Sequence, residues 1–143
     1  VRERTWRYWR NLGCFLLVGT ALAAVGLAVG VSWWQANAFL HPRRHLAADT
    51  PAEWQLDYQE VAFTTVDGLT LRGWYLPSRN EAAILVGHGI GGARSLEPAR
   101  VLNRHGYGVL TFDWRAHGES NGDLCTFGYH EVRDVAAALA WLQ

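Results

Sequence analysis

The stretch from Ala82 to Gly92, AAILVGHGIGG, constrains this chain more tightly than any other. A charge-free apolar run, Ala82 to Val86, stops at Gly87, Gly89, Gly91 and Gly92, which are interleaved with His88 and Ile90. That pattern predicts a buried strand whose backbone runs directly into a tight loop. Glycine permits positive φ and lets backbone N–H groups approach a ligand without an intervening Cβ. The loop is therefore expected to hold something at the strand's end.

The flanking segments supply a sheet for this strand. From Tyr58, Val61, Phe63 and Thr65 alternate with Glu60, Ala62 and Thr64, Asp67-Gly68 marks a turn, and alternation resumes through Leu69, Leu71, Gly73 and Tyr75 to Pro77. This predicts a β-hairpin. Beyond the glycines, Ser95 is placed to cap a helix with Glu97 and Pro98 in its first turn, Leu96, Ala99 and Leu102 on one face, and Gly106 at its end. Gly108 to Asp113 reads as a second buried strand, Trp114 to Thr126 as a polar connection, and Gly128 onward as a helix with Val132, Val135, Ala136 and Leu139 on its inner stripe. The alternation of strand and helix predicts an α/β fold with a mostly parallel sheet.

The N-terminal part obeys different rules. No charge interrupts Leu12 to Trp34, and about 35 Å of helix is enough to cross a ~30 Å hydrocarbon core. Trp6, Tyr8 and Trp9 precede the run and Trp33 and Trp34 close it, as in aromatic belts at headgroup level. Arg2, Arg4, Arg7 and Arg10 outweigh Arg43 and Arg44 on the far side, so the positive-inside rule predicts a cytoplasmic N-terminus and a domain on the outer face of a bacterial plasma membrane. The competing reading is a removable signal peptide, with Ala36-Asn37-Ala38 as its cleavage pattern. Gly19, Ala23, Gly26 and Gly30 share one helical face, where Gly26 and Gly30 would seat a second helix. The expected organisation is a basic tail (1–11), a transmembrane helix (12–34), a juxtamembrane linker (35–57) and a folded domain (58–143).

Charge and cysteine usage narrow the function. The chain has 143 residues, zero formal net charge, no Met, and thirteen basic residues that are all Arg. The basic excess lies in the N-terminal segment, and the remainder is slightly acidic, so nucleic-acid binding has no electrostatic basis. The Arg bias points to a GC-rich genome in which Val1 is an alternative start codon, an expectation the genomic start site tests. Cys14 and Cys125 fall in different kinds of segment, and His41 and His45 in the linker have no third ligand nearby. Neither a disulfide framework nor a metal site is expected.

Two families use a strand and glycine turn of this kind. Gly87-x-Gly89-x-x-Gly92 satisfies the dinucleotide fingerprint, and Asp113 ends the next strand where an acid would meet a ribose. In that motif, however, the helix begins within the glycine turn, which would put Pro98 inside it at a cost of about 3 kcal/mol. More of the chain is accounted for by the motifs Asp67-Gly68-Leu69, Gly73-Trp74-Tyr75-Leu76-Pro77, His88-Gly89-Ile90-Gly91-Gly92 and Asp113-Trp114-Arg115-Ala116-His117-Gly118-Glu119-Ser120. Gly128, Glu131 and Asp134 complete the set. These resemble the N-terminal half of an α/β-hydrolase, in particular the membrane-anchored bacterial serine hydrolases that are similar to serine aminopeptidases and depalmitoylases. Two positions depart from the pattern: Gly87, usually apolar, and Ala116, often Gly.

The resemblance implies a division of roles. The backbone N–H of Ile90 would be one donor of an oxyanion hole, with His88, Gly89, Gly91 and Gly92 shaping the loop. His88 invites the role of catalytic base, but its place at the strand end favours loop support. Gly118-Glu119-Ser120-Asn121-Gly122 satisfies G-x-S-x-G by letter, yet a nucleophile elbow must join a strand directly to a helix, and here neither neighbour is close enough. Asp113, Arg115, His117, Gly118 and Ser120 are accordingly expected to be structural loop residues, with Asp134 anchoring the last helix. The nucleophile and triad would lie beyond Gln143, because the fold's chain order places them after this helix. The expected activity is serine-type hydrolysis of an ester, thioester or amide through an acyl-enzyme, without cofactor or metal and on a small-molecule or acyl substrate. His-Gly-Ile-Gly rather than His-Gly-x-Pro counts against the epoxide hydrolase and dehalogenase forms. The alternatives are a non-catalytic anchored binding protein of the same fold and a dinucleotide-dependent oxidoreductase.

Overall fold

The computed structural model describes residues 2–143, which divide into two units between Ala38 and Phe39. The described residues of the first unit all lie in one helix, α1, which runs from Arg2 to Leu40. It is longer than the apolar run because nothing in Gln35–Leu40 breaks a helix; Pro42 then disfavours helical geometry at His41. The segment Trp6–Leu40 reaches a mean hydropathy of 2.4, and none of that apolar window is buried. By length and composition α1 suffices to cross a membrane, a test that signal sequences also pass. Its Thr20 hydroxyl donates to Leu17 O at 2.9 Å, so this polar group is satisfied within the helix.

The second unit is a four-stranded sheet with a helix on each face. Strands β1 (Gln59–Thr64) and β2 (Thr70–Leu76) form the expected hairpin, with Phe63 opposite Leu71 and Val61 opposite Gly73. Thr65 and Gly68 close the turn through Thr65 N–H to Leu69 O and Gly68 N–H to Thr65 O, both 2.9 Å. β3 (Ala83–Val86), α2 (Leu96–Arg104), β4 (Gly108–Phe112) and α3 (Glu131–Leu142) follow. The strand order is β1-β2-β4-β3.

The sheet is less parallel than its strand–helix alternation predicts. β3 and β4 are parallel, but β4 pairs antiparallel with β2, as β1 does. The reason lies in the connections. Only the α2 crossover returns the chain to the end from which it started, and the short link from β2 to β3 reverses direction.

β4 is buried at every position. Its alternation sends Leu110 and Phe112 into a cluster with Val61, Phe63, Leu71 and Ala138 of α3, while Val109 joins Leu76 and Ala99 of α2 on the opposite face. A strand covered on both sides reads as the continuous apolar run seen in the sequence.

α3 presents a different face from the predicted one. Val132 and Leu139 are 66% and 48% exposed, whereas Glu131, Asp134 and Ala138 are buried and Ala137, Trp141 and Leu142 pack on the core. Two carboxylates determine this orientation. Asp134 binds Arg115, and Glu131 accepts hydrogen bonds from the preceding turn, so polar residues occupy positions that periodicity assigns to the outside.

Candidate active site

The parallel strands β3 and β4 end side by side, and the loops that leave them, 87–95 and 113–130, carry the chemistry-bearing side chains. Ligands of open α/β sheets bind at this end. An open cleft of about 440 Å³ lies there, lined by His88, Gly89, Ile90, Trp114, His117, Cys125, Phe127, Gly128 and Glu131.

The glycine loop is pinned at several points. Gly92 N–H donates to Gly89 O at 3.0 Å, and Gly91 N–H donates to His117 Nε2 at 3.0 Å. The Ile90 N–H, which precedes these two committed amides, has no hydrogen-bond partner among the described residues. Its side chain is 55% exposed at the cleft. Gly87 explains one departure from the hydrolase pattern: a Cβ there would lie 2.6 Å from Trp114 Cζ2, so the indole occupies the space of the usual apolar side chain. Trp114 in turn donates Nε1–H to His88 O at 2.9 Å.

The His88 ring makes its hydrogen bonds with backbone groups of the two loops. Its Nδ1 lies 2.8 Å from Gly89 O, and its Nε2 accepts from Trp114 N–H at 3.4 Å and is 3.8 Å from Asp113 Oδ1. Burial lowers its pKa below the ordinary imidazole value, aided by His117 and Arg94 and opposed by Gly89 O and Asp113. His88 and His117 meet edge to face with ring centroids 5.2 Å apart.

The loop after β4 is a dense polar lattice, in which the buried Asp113 Oδ1 and Arg94 Nε make no hydrogen bond among the described residues. Asp113 is buried, accepts from Glu119 N–H at 3.0 Å and lies 3.1 Å from Arg94 Nε; Arg94 also binds Glu119 and stacks 4.0 Å over Trp74. Gly118 has φ +44, and a Cβ there would overlap the Asp113 carboxylate. Ser120 is fully buried; its Oγ donates to Asp113 O at 2.5 Å and accepts from Arg72 N–H at 2.9 Å. It joins β2 to the end of β4 and is absent from the cleft wall. Arg44 binds the carbonyls of Gly118, Ser120 and Gly122 from outside.

Arg115 ties three elements together. It reaches Asp134 of α3 at 2.7 Å and Asp67 of the hairpin turn at 2.9 Å, and Arg133 adds a second cation to Asp67 at 2.9 Å. Hydrogen bonding from Arg115, then Thr65, holds the Asp67 carboxyl far below the usual range against the opposing effect of burial. Burial would lower the Arg115 pKa, but the hydrogen bonds and charges of Asp134 and Asp67 outweigh it and raise it. For Glu131 burial pushes upward, yet donors at Thr126 N (2.7 Å), Thr126 Oγ1 (2.8 Å) and Gly128 N (2.7 Å) bring the net shift below the ordinary value. Burial raises the Cys125 thiol pKa, which keeps it protonated in the cleft wall.

The structure thus brings Ile90, His88, Gly89 and His117 together at the cleft and leaves Asp113, Arg115, Gly118 and Ser120 in the lattice behind it. The dinucleotide geometry is not formed: α2 starts at Leu96, well after the glycines, and Asp113 is enclosed by Arg94, His88 and Glu119. Among the described residues no cluster of His, Cys, Asp or Glu is placed to hold a metal. Sequence reasoning missed Arg94, Trp114, Arg44 and the wall formed by Cys125 and Phe127. Only Trp114 carried a signal, a bulky ring following the strand opposite an unexpected glycine.

No family model matches the chain. Its solved structure neighbours are α/β-hydrolase-fold proteins, and the four-stranded mixed sheet is the corresponding part of that fold. An esterase of Pyrococcus furiosus aligns with TM-score 0.66 and 33% identity, over 73% of this chain and 42% of the esterase. Among curated proteins, the thiohydrolase AneE of Aspergillus aculeatus is 44% identical over 69 residues, 46% of this chain and 22% of its own length. The polyketide transferase GrgF of a Penicillium species is 36% identical over 72 residues, 48% of this chain and 24% of its own. An uncharacterized protein of Mycobacterium tuberculosis is 36% identical over 89 residues, 59% of this chain and 31% of its own. The chain therefore spans a third or less of these curated relatives and 42% of the esterase.

Proposed function

We propose that this chain is the N-terminal part of a membrane-anchored α/β-hydrolase that cleaves an ester, thioester or amide through an acyl-enzyme. The observation that carries the proposal is the uncommitted Ile90 N–H, followed by the tied-down amides of Gly91 and Gly92, at the wall of a cleft beside the ends of β3 and β4. In the reaction a serine Oγ attacks the acyl carbonyl, its proton passes to a histidine, and the carbonyl oxygen becomes an oxyanion. The Ile90 N–H stabilises that charge together with the amide after the nucleophile. Loss of the alcohol, thiol or amine leaves the acyl-enzyme, and water releases the acid. Nucleophile, acid and base come from sequence following Gln143. The esterase and thiohydrolase relatives support the reaction class.

The membrane part of the reading rests on α1, charge-free from Leu12 to Trp34 and exposed along its apolar window. It crosses the bilayer once, with the N-terminus cytoplasmic, and Gly26 and Gly30 offer a face to a second helix.

The test is fluorophosphonate labelling of membranes carrying the reading frame extended past Gln143, comparing wild type with Ser120→Ala. Labelling that survives the substitution supports a downstream nucleophile. Labelling lost in a folded Ser120→Ala protein places the nucleophile at Ser120 and refutes the assignment. No labelling in either protein favours a binding protein of the same fold.

A further inference from the structure

We propose that His117 is a positioning residue for the oxyanion loop, acting with His88 as a reciprocal clasp that holds only while both imidazoles are neutral. The inference rests on the reading of Ile90 as an oxyanion donor. Its geometry can be read independently of any activity.

Each ring belongs to one loop and accepts a backbone N–H from the other. His117, after β4, receives Gly91 N–H on Nε2 at 3.0 Å; His88, after β3, receives Trp114 N–H on Nε2 at 3.4 Å. The remaining nitrogens face carbonyls, His117 Nδ1 at 2.9 Å from Arg115 O and His88 Nδ1 at 2.8 Å from Gly89 O. A carbonyl only accepts and an amide N–H only donates. One tautomer satisfies all four contacts: protonated at Nδ1, with a lone pair at Nε2, on both rings. Trp114 Nε1–H to His88 O adds a further bond across the same seam.

The consequence for the loop is direct. With Gly91 N–H held by His117 and Gly92 N–H turned back to Gly89 O, the peptide on the C-terminal side of Ile90 is fixed. Protonation of His117 replaces the Nε2 lone pair with a second N–H aimed at the Gly91 N–H, and the bond is lost. The His117 side chain is almost wholly enclosed, so water does not readily replace it. The charged groups facing the pair are Asp113, 3.8 Å from His88 Nε2, Arg94, whose charge is shared by Asp113 and Glu119, and Glu131 across the cleft. Arg94 and the second imidazole both oppose the charging of His88, and Asp113 favours it. Charging either ring removes its Nε2 acceptor and opens that half of the clasp.

The experiment uses the chain in detergent micelles. Long-range proton–nitrogen correlation spectra are expected to show both histidines as Nδ1–H tautomers near neutral pH. His117 found as the Nε2–H tautomer, or as imidazolium, overturns the proposal. Gly91 amide exchange is then followed in two variants. His117→Gln places a non-titrating acceptor near the Nε2 position and is expected to keep Gly91 protected under the conditions in which the wild-type spectrum shows His117 as imidazolium and Gly91 unprotected. His117→Leu removes the acceptor and is expected to speed Gly91 exchange about tenfold. Wild-type and His117→Gln exchange that respond identically to acid overturn the proposal even if His117→Leu fails to fold. In the extended reading frame, His117→Gln should flatten the acid limb of kcat for a p-nitrophenyl ester while leaving KM in place; an unchanged limb refutes the positioning role. Absence of turnover with the tautomers and protection as expected refutes the hydrolase reading and leaves the clasp standing.

Discussion

The loops after β3 and β4 leave the sheet side by side, yet they spend their hydrogen-bonding capacity in opposite ways. The β4 loop is closed: Ser120, Asp113, Arg115 and Gly118 are buried, and the Ser120 hydroxyl both donates and accepts within the protein. The β3 loop is open: Gly89 and Ile90 are exposed, and the Ile90 N–H is not used. A residue contributes to chemistry through capacity left over after folding. On the proposed reading the G-x-S-x-G letters around Ser120 mark a structural joint, and the plainer His-Gly-Ile-Gly marks the functional surface.

Disrupting the closed loop should have the largest effect. Asp134→Ala leaves Arg115 buried with only Asp67 as its acidic partner and is expected to destabilise the fold by ~3–5 kcal/mol in denaturant titrations. In the open loop, Ile90→Pro removes the free N–H and should lower kcat of the extended protein by roughly 10²–10³. Ile90→Ala, which keeps that N–H, should remain near wild type in both turnover and melting. If the two variants behave alike, the side chain matters and the backbone assignment fails. Ser120→Ala strands Arg72 N–H and Asp113 O and should cost ~1–3 kcal/mol without reducing fluorophosphonate labelling.

The carboxylates give the comparison a pH axis. Asp67 and Glu131 both have folded-state pKa values below their unfolded ones. Their contribution is present above the unfolded carboxyl values and is lost as pH falls through the folded ones. Glu131→Gln should therefore flatten the loss of thermal stability on acidification, a result that a melting series against pH would show. The smallest expected change has the opposite sign. Ala116 sits at φ +61 in the left-handed region, and Ala116→Gly should raise stability by about 1 kcal/mol, measured as an upward shift in melting temperature.

The strands and helices were legible because burial leaves an apolar pattern: Gly108–Phe112 is buried throughout, and the Val61–Phe63–Leu71 alternation is one face of the hairpin. Strand order was not legible, because alternation of element types does not record that β4 inserts between β2 and β3. α3 was misread for a related reason. Its buried face contains Glu131 and Asp134, whose partners Thr126 and Arg115 come from the preceding loop, and a periodicity of apolar residues cannot anticipate carboxylates drawn inward by ion pairs. The glycine loop was legible as a loop. Its fastening by His117, far along the chain, was not, since a single histidine carries no record of which backbone amide it will meet.

The position of β4 also governs timing. β2 and β3 are consecutive in the chain but are not neighbours in the sheet, and β4 separates them. A growing polypeptide therefore completes its hairpin early and then holds β3 with no strand to pair with until α2 and β4 have been made. The short apolar segment Ala83–Val86, without a charge or proline to guard it, must wait exposed during that interval. The joining of β3 to the hairpin is thus a single late event, set by the emergence of β4, and the same event first brings the two loops of the cleft side by side.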